Sequence, residues 1–119
     1  MTMGLGRKST ELVHQRMAAR RPFRRGNVWG SVGPADKPEW LTPEAWEVYL
    51  DDEPTYTVFS YETPIAWLVT RGREGLAPFW RVPGLRHSLS TADHQRTAMR
   101  GADKAGEEVR DLPSVMLAR

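Results

Sequence analysis

Two strongly β-forming segments, separated by a short polar turn, constrain the fold of this chain more than any other feature. Residues 56–61 read Tyr-Thr-Val-Phe-Ser-Tyr, and residues 65–70 read Ile-Ala-Trp-Leu-Val-Thr. β-Branched and aromatic residues are typical of strands, and the almost wholly apolar second segment indicates burial on both faces. The glycines within residues 71–75 predict a hairpin loop, after which residues 79–82 alternate as a short third strand. The sequence therefore predicts a three-stranded antiparallel meander.

Helix signals flank this meander on both sides. The Thr-Pro-Glu sequence at residues 42–44 combines a capping residue, a proline at the first helical position and an acidic first turn, and predicts a short helix over 43–50. The Ser-Thr pair at residues 90–91 is a second cap and predicts a helix over 92–100. We therefore predict an α+β fold, a small three-stranded antiparallel meander with flanking short helices and a flexible basic N-terminal arm.

The two ends of the chain differ from this central region in charge and composition. Residues 1–30 carry seven basic residues and one acidic residue, whereas residues 31–62 carry one basic and eight acidic residues. Residues 11–21 are compatible with a helix, and the frequent glycine and proline over residues 26–38 are typical of a loop or linker. The predicted divisions are a basic, partly helical arm and linker over 1–37, a folded α+β domain over 38–100 and a polar C-terminal tail over 101–119.

The composition excludes several kinds of site. The 119 residues include no cysteine, so the chain has no disulfide framework, thiolate zinc site or cysteine nucleophile. The three histidines, His14, His87 and His94, form no compact ligand motif, so we predict no metal site and no cofactor. No apolar run approaches the ~18 residues that span a bilayer, and the N-terminus lacks the apolar stretch of a signal peptide. We expect a cytoplasmic protein with no membrane partner.

A cluster of arginines near the N-terminus is the clearest indication of a polyanionic partner. Its members lie within ten residues with no acid among them, and they are Arg16, Arg20, Arg21, Arg24 and Arg25. Cationic side chains at this density attract phosphates without reading base sequence. We predict weak, sequence-independent nucleic-acid binding by these five residues. Two alternatives stay open. The arm is a solvated tail that binds nothing, or it folds back on the acidic residues between 44 and 53, which then occupy its arginines.

Tryptophan is abundant, with five in so short a chain. Most of these side chains are expected in the core, but indole rings are also enriched among binding anchors. One or two on an exposed sheet face beside arginines would suit stacking on unpaired bases or on a protein partner. The residues that we predict for protein interaction are Tyr61, Trp80, His94 and Gln95.

Catalysis is the rival interpretation. His94, with Asp93, Glu62 and a hydroxyl of Ser88 or Ser90, would supply acid, base and nucleophile if the fold brought these groups together. Their spacing along the sequence does not require such convergence. We therefore predict no catalytic residue and expect His94 to be structural or interfacial.

Three separated blocks in the second half of the chain, in the same order, resemble a small uncharacterised domain of actinobacterial phages, plasmids and their hosts. The blocks are VFSYETPIAW at residues 58–67, WRVP at 80–83 and HSLSTADHQ at 87–95. Family members have a tyrosine-serine-tyrosine strand running into T-P-I-A-W, followed by W-x-V-P and a Y-S-V-T-T-S-x-H-Q ending. This chain has His87 where tyrosine is usual and Ala92 where a second hydroxyl is usual.

The resemblance implies that this chain is a phage or mobile-element protein. It does not indicate that the protein catalyses any particular reaction. With the residue patterns above, it leads us to expect a non-enzymatic accessory protein that binds a host macromolecule, either a host protein or nucleic acid, in the host cytoplasm. The alternatives are a small hydrolase-like enzyme that uses His94 and a structural component of the virion.

Overall fold

Three helices and six strands make up the regular structure of the described residues. The computed structural model describes residues 6–34, 41, 43–70, 77–83 and 89–112. The helices are α1 (Arg7–Ala19), α2 (Pro43–Asp52) and α3 (Leu89–Lys104). The strands are β1 (Phe23–Arg25), β2 (Val28–Val32), β3 (Tyr56–Ser60), β4 (Thr63–Val69), β5 (Phe79–Pro83) and β6 (Glu108–Leu112). The predicted α+β class is confirmed.

All six strands belong to one sheet, in the order β1-β2-β3-β4-β5-β6. Strands β1 to β5 pair antiparallel with their neighbours, whereas β6 pairs parallel with β5 because α3 carries the chain back along the sheet before β6 begins. The prediction of a three-stranded meander is therefore wrong. Strands β3, β4 and β5 are consecutive and antiparallel, but they are the inner part of a larger mixed sheet.

The prediction of a flexible N-terminal arm is also wrong for the described residues. Helix α1 packs against α3 and buries Val13, His14 and Met17. The segment after it forms the β1–β2 hairpin, and β2 pairs along its length with β3. Residues 7–32 thus belong to the folded unit. Residues 35–38 of the predicted linker lie outside the described residues, as does the predicted hairpin loop at 71–75.

Glycine in the β1–β2 region reflects turning and close packing. Gly26 has a φ of 59°, which suits the turn between the two strands. Gly30 lies inside β2, where a Cβ atom would come within 2.4 Å of the Phe23 ring and 2.5 Å of the Tyr56 hydroxyl. A larger residue at position 30 would displace two buried side chains. The glycines that predict a linker therefore have two structural roles here, one in the turn between β1 and β2 and one in close packing within β2.

The residues after 100 form a strand where the polar composition predicts a tail. Helix α3 continues to Lys104, and β6 follows after a turn at Gly106, whose φ is 73°. Val109 of β6 packs against the core, while Glu108 and Arg110 are exposed. The sheet therefore crosses both predicted boundaries, at residues 37/38 and 100/101. Residues 113–119 of the predicted tail lie outside the described residues.

Helices cover the two faces of the sheet unequally. Helices α1 and α3 pack on one face, where the larger core includes Val13, Met17, Val28, Tyr56, Val58 and Trp80. Helix α2 packs on the other face, where the smaller core consists of Leu41, Ala45, Tyr49, Trp67, Val69 and Phe79. Arg24 of β1 and Trp29 of β2 also lie on this second face. Arg24 is directly opposite Trp29, Trp29 is directly opposite Phe59, and residues opposite one another share a face of the sheet. Neither Arg24 nor Trp29 belongs to the smaller core.

Candidate functional site

Two hairpin turns lie side by side at one end of the sheet. One connects β1 to β2 at Gly26 and Asn27, and the other connects β3 to β4 at Tyr61 and Glu62. The Tyr61 amide donates a hydrogen bond to the Asn27 carbonyl over 2.7 Å. Tyr61 has a φ of 57°, an uncommon conformation for a bulky residue, and its side chain is 47% exposed. A strained, exposed aromatic residue of this kind is typical of functional positions.

A stack of flat side chains crosses β1, β2 and β3 beside these turns. Arg24, Trp29 and Phe59 are directly opposite one another in the sheet register. The indole and phenyl rings stack with centroids 3.8 Å apart and planes 9° from parallel, and the Arg24 guanidinium carbon lies 5.4 Å from the indole centroid. Phe59 is buried, Trp29 is half-buried and Arg24 is exposed. The stack therefore becomes more accessible and more cationic toward the β1 edge.

A cleft of about 580 Å³ opens between this stack and the β3–β4 turn. Its lining is formed by Arg24, Trp29, Tyr61, Glu62 and Thr63. The Trp29 indole N–H donates to the Tyr61 carbonyl, which ties the ring to the turn. The cleft combines the Trp29 indole ring with a guanidinium, a carboxylate and a hydroxyl. It can accept a planar ligand that has a polar edge, and we call it the Trp29 cleft.

The structure divides the five predicted nucleic-acid-binding arginines into two groups. Arg16 and Arg20 are half-buried on the α1 side, whereas Arg21, Arg24 and Arg25 are exposed around β1. Within the described part of the chain, the three exposed arginines form no ion pair. They can therefore bind an external anion without breaking an ion pair within the described part of the chain.

Arg20 has a structural role at the end of α1. Its φ of 57° terminates the helix, and its guanidinium donates to the Met17 carbonyl over 2.7 Å and pairs with Glu107. The same Glu107 carboxylate accepts from the Trp80 indole N–H over 3.0 Å. Trp80 is 1% exposed, so this predicted interaction residue belongs to the core. Arg20 and Trp80 fasten the chain before β6 to the sheet.

Gln95, another predicted interaction residue, makes its hydrogen bonds inside the molecule. Its Nε2 donates to the Ile65 carbonyl over 3.1 Å and to the Pro83 carbonyl over 2.8 Å. These contacts join the VFSYETPIAW, WRVP and HSLSTADHQ blocks at one point. The three blocks therefore share a structural role, because Gln95 links them by hydrogen bonds inside the molecule.

His94 lies on α3 against the end of β3. The Ser60 hydroxyl donates to Thr91 Oγ1 over 3.0 Å and lies 2.8 Å from His94 Nδ1. Because a hydroxyl has one proton, this arrangement makes His94 the donor to Ser60. A serine nucleophile needs the opposite direction and an accessible oxygen, but Ser60 is 0% exposed. The pair is suited to fixing α3 on the sheet, and the Tyr61 ring lies 6.2 Å from the imidazole.

The other groups considered for catalysis lie elsewhere or outside the described part. Asp93 pairs with Arg96 on the exposed side of α3, and Glu62 lines the Trp29 cleft. Ser88 and the Ser90 side chain are outside the described residues. Of the four predicted interaction residues, Tyr61 alone is exposed, while Trp80, His94 and Gln95 contact other parts of the chain.

His14 is the second buried histidine. Its Nε2 lies 2.9 Å from the Thr97 carbonyl of α3, and its Nδ1 is buried with no hydrogen-bond partner among the described residues. A carbonyl only accepts, so Nε2 carries a proton and donates it to Thr97. Burial lowers the pKa of His14, and the charges of Lys104 and Arg100 lower it further. Burial likewise lowers the pKa of His94.

We expect the free energy of unfolding to decrease as the pH falls below the ordinary histidine pKa of 6.5. Both folded-state values are lower than this, so the unfolded chain binds more protons in that range and acid favours unfolding. Urea denaturation at pH values from ~8 to ~5.5 would show a falling midpoint. His14→Gln, which retains a donor for Thr97, should flatten the profile. A midpoint that stayed constant or rose on acidification would contradict this expectation.

Comparisons with protein-family models, with curated proteins and with solved structures find no match to this chain. Within the described ranges, no helix is long and apolar enough to cross a membrane. The same ranges contain no group of three or more His, Asp or Glu side chains placed to hold a metal ion. The Trp29 cleft and the charges around it are the features of the described residues that bear most directly on function.

Sequence reasoning missed Trp29 as a site residue, although a signal for it was present. Residues 23–25 and 28–32 are two short segments separated by Gly-Asn, a pair that is typical of tight hairpin turns. A hairpin there places Arg24 and Trp29 on one face by alternation. Their position beside Phe59 depends on pairing with β3, which local patterns do not specify.

Proposed function

We propose that this chain is a non-enzymatic phage or mobile-element accessory protein that binds nucleic acid through the face formed by the β1–β2 hairpin and the Trp29 cleft. The observation that carries this proposal is a group of three exposed arginines, Arg21, Arg24 and Arg25, which form no ion pair within the described residues, with the Arg24 guanidinium beside an accessible indole ring. Guanidinium groups bind phosphate, and aromatic rings tolerate any base. The phage or mobile-element origin is supported by the three-block resemblance.

The arrangement of buried polar groups supports binding over catalysis. Ser60 and His94 are enclosed between β3 and α3, with the hydroxyl proton directed to Thr91. The hydrolase alternative would need these groups to reach a substrate, and their contacts instead connect two elements of the core.

A host protein is the second candidate partner, and Tyr61 is the observation that favours it. Its side chain is large, exposed and polar at the tip, which is typical of residues at the centre of protein interfaces. The concentration of unpaired positive charge beside it favours nucleic acid as the first candidate.

The charge at this face can be tested by replacing Arg21, Arg24 and Arg25 together with glutamine. Three phosphate contacts on duplex DNA give a log-log salt slope of roughly −2.7, so the unaltered protein should lose affinity steeply with salt. In the triple variant, we expect binding at low salt to be lost and the slope to approach zero. Fluorescence anisotropy with labelled DNA and RNA measures both quantities. Substitutions are preferable to removal of residues 1–25, because α1 contributes Val13 and Met17 to the core.

A matched control changes the same charge on a different surface. Arg96, Arg100 and Lys104 are exposed on α3, and their replacement with glutamine lowers the net charge equally. We expect this control to retain most of the affinity. Equal loss in the two triple variants would show that net charge and not this face is responsible, and no binding by the unaltered protein at low salt would remove nucleic acid as the partner.

A further inference from the structure

We infer that the Trp29 cleft holds an unpaired base, so that single-stranded nucleic acid is the preferred ligand over duplex. This inference rests on the proposed nucleic-acid function and adds the class of strand and the point of contact. Three observations carry it, namely the side of the indole ring that is covered, the concave shape beside it and the position of the exposed cations.

The first observation is that, among the described residues, one face of the Trp29 ring is tightly covered and the other is not. Phe59 stacks on that face with a centroid separation of 3.8 Å and does not line the cleft. Because β1 and β3 flank β2 on opposite sides, Arg24 approaches from the other side, with its guanidinium carbon 5.4 Å from the indole centroid. This is a looser contact than the ring stack, made by an exposed side chain that can move. A base can take its place on the indole, with the guanidinium then over the base or on a phosphate.

The second observation is the shape and chemistry of the cleft. It is a concave space of about 580 Å³, in which Trp29 supplies an aromatic ring and Thr63 supplies a hydroxyl. Phosphate attraction alone needs neither rings nor concavity. In a duplex the base faces are stacked on one another and cannot enter such a space, whereas an unpaired base can stack on an aromatic ring and present its edge to polar groups.

The third observation is the placement of cations around the cleft. Arg24 lines it, Arg25 follows on the same edge strand with its side chain toward the opposite face, and Arg21 lies just before β1. A strand whose base occupied the cleft would have a flanking phosphate near the Arg24 guanidinium, with the other two arginines on and just before the same edge strand. Charge complementarity therefore favours a polyanion over a protein segment as the occupant, and a protein partner becomes an outcome of the test.

The test compares one labelled DNA oligonucleotide as a single strand and as a duplex, using anisotropy at low salt. We expect the single strand to bind more tightly. Trp29→Leu, which keeps an apolar side chain over Phe59, should weaken single-strand binding by roughly 5- to 150-fold, the range measured for loss of one stacked base. Its duplex affinity should change by less than about 3-fold, because phosphate contacts remain. The matched control is Trp46→Leu on α2, a half-buried tryptophan that stacks on Tyr49 and should leave both affinities unchanged.

A second variant guards against a folding defect in Trp29→Leu. Tyr61→Asn removes the exposed ring of a residue that lines the cleft while keeping a residue type that tolerates the left-handed conformation. It should weaken single-strand binding by about 3-fold or more and spare duplex binding. Equal affinity for single strand and duplex, unchanged in both variants but lost in the triple arginine variant, would overturn this inference and leave the proposed function standing. Absence of binding to either form would overturn both and indicate a protein partner.

Discussion

Replacing Trp67 with alanine should lower the free energy of unfolding by about 3–5 kcal/mol, the usual range for a large buried aromatic side chain. Trp67 is 0% exposed in β4, and its ring meets Tyr49 edge to face with centroids 4.8 Å apart. The substitution would open a cavity under α2 and remove an indole N–H bonded to Asp52 over 2.8 Å. Urea denaturation followed by circular dichroism measures the change.

A matched control for this substitution is Trp46→Ala. Trp46 is half-buried on α2 and packs at the margin of the same core, so its loss should cost less. A loss below about 1 kcal/mol for Trp67→Ala, or one no larger than that of the control, would contradict the placement of Trp67 at the centre of the smaller core.

Replacing Asp52 with alanine should lower the free energy of unfolding by about 3 kcal/mol, near the lower end of the range for breaking a buried ion pair. Asp52 Oδ2 accepts from both Trp67 and Arg81, and Oδ1 accepts a second bond from Arg81, each Arg81 bond being 3.0 Å long. The variant leaves a guanidinium and an indole N–H without an acceptor. The Arg81 side chain is 21% exposed, so water offsets part of the cost.

Chemical denaturation of four proteins would isolate this contact. Asp52→Ala, Arg81→Met and the double variant form a cycle in which the double variant should lose less than the two single variants combined. Asp103→Ala, at an exposed aspartate on α3, is the control for loss of a surface charge. Additive losses, or a loss for Asp52→Ala as small as that of the control, would show that Asp52 does not hold α2 to the sheet.

The central elements could be predicted because their signals are local. The aromatic and β-branched run that becomes β3, and the Pro-Glu pair that begins α2, each specify their own conformation within a few residues. Strand β6 has no comparable run of aromatic or β-branched residues. Among its described side chains, Val109 is the one that packs against the core. Its formation depends on α3 returning the chain beside β5, which is a contact between distant parts of the sequence.

The candidate site could be predicted only in part, for the same reason. The arginine cluster is visible in the sequence, but the structural role of Arg20 depends on Glu107, 87 residues further along the chain. The accessibility of Arg24 depends on a hairpin whose glycines also fit a linker. Trp80 and Trp29 are equally good anchors by residue type, and sheet register alone makes the first buried and the second accessible.

Nuclear magnetic resonance can locate the ligand on the surface, because the five tryptophans supply five indole N–H signals. A 15N-labelled sample would be titrated with a short single-stranded DNA, and the signals assigned by single Trp→Phe substitutions. We expect the Trp29 indole signal and the backbone amides of Arg24, Arg25 and Tyr61 to shift together and to saturate. The Trp67 indole signal, enclosed beneath α2, should stay in place. Shifts centred on α2 or on the outer side of α3, with the Trp29 signal unchanged at saturation, would contradict nucleic-acid binding at the Trp29 cleft.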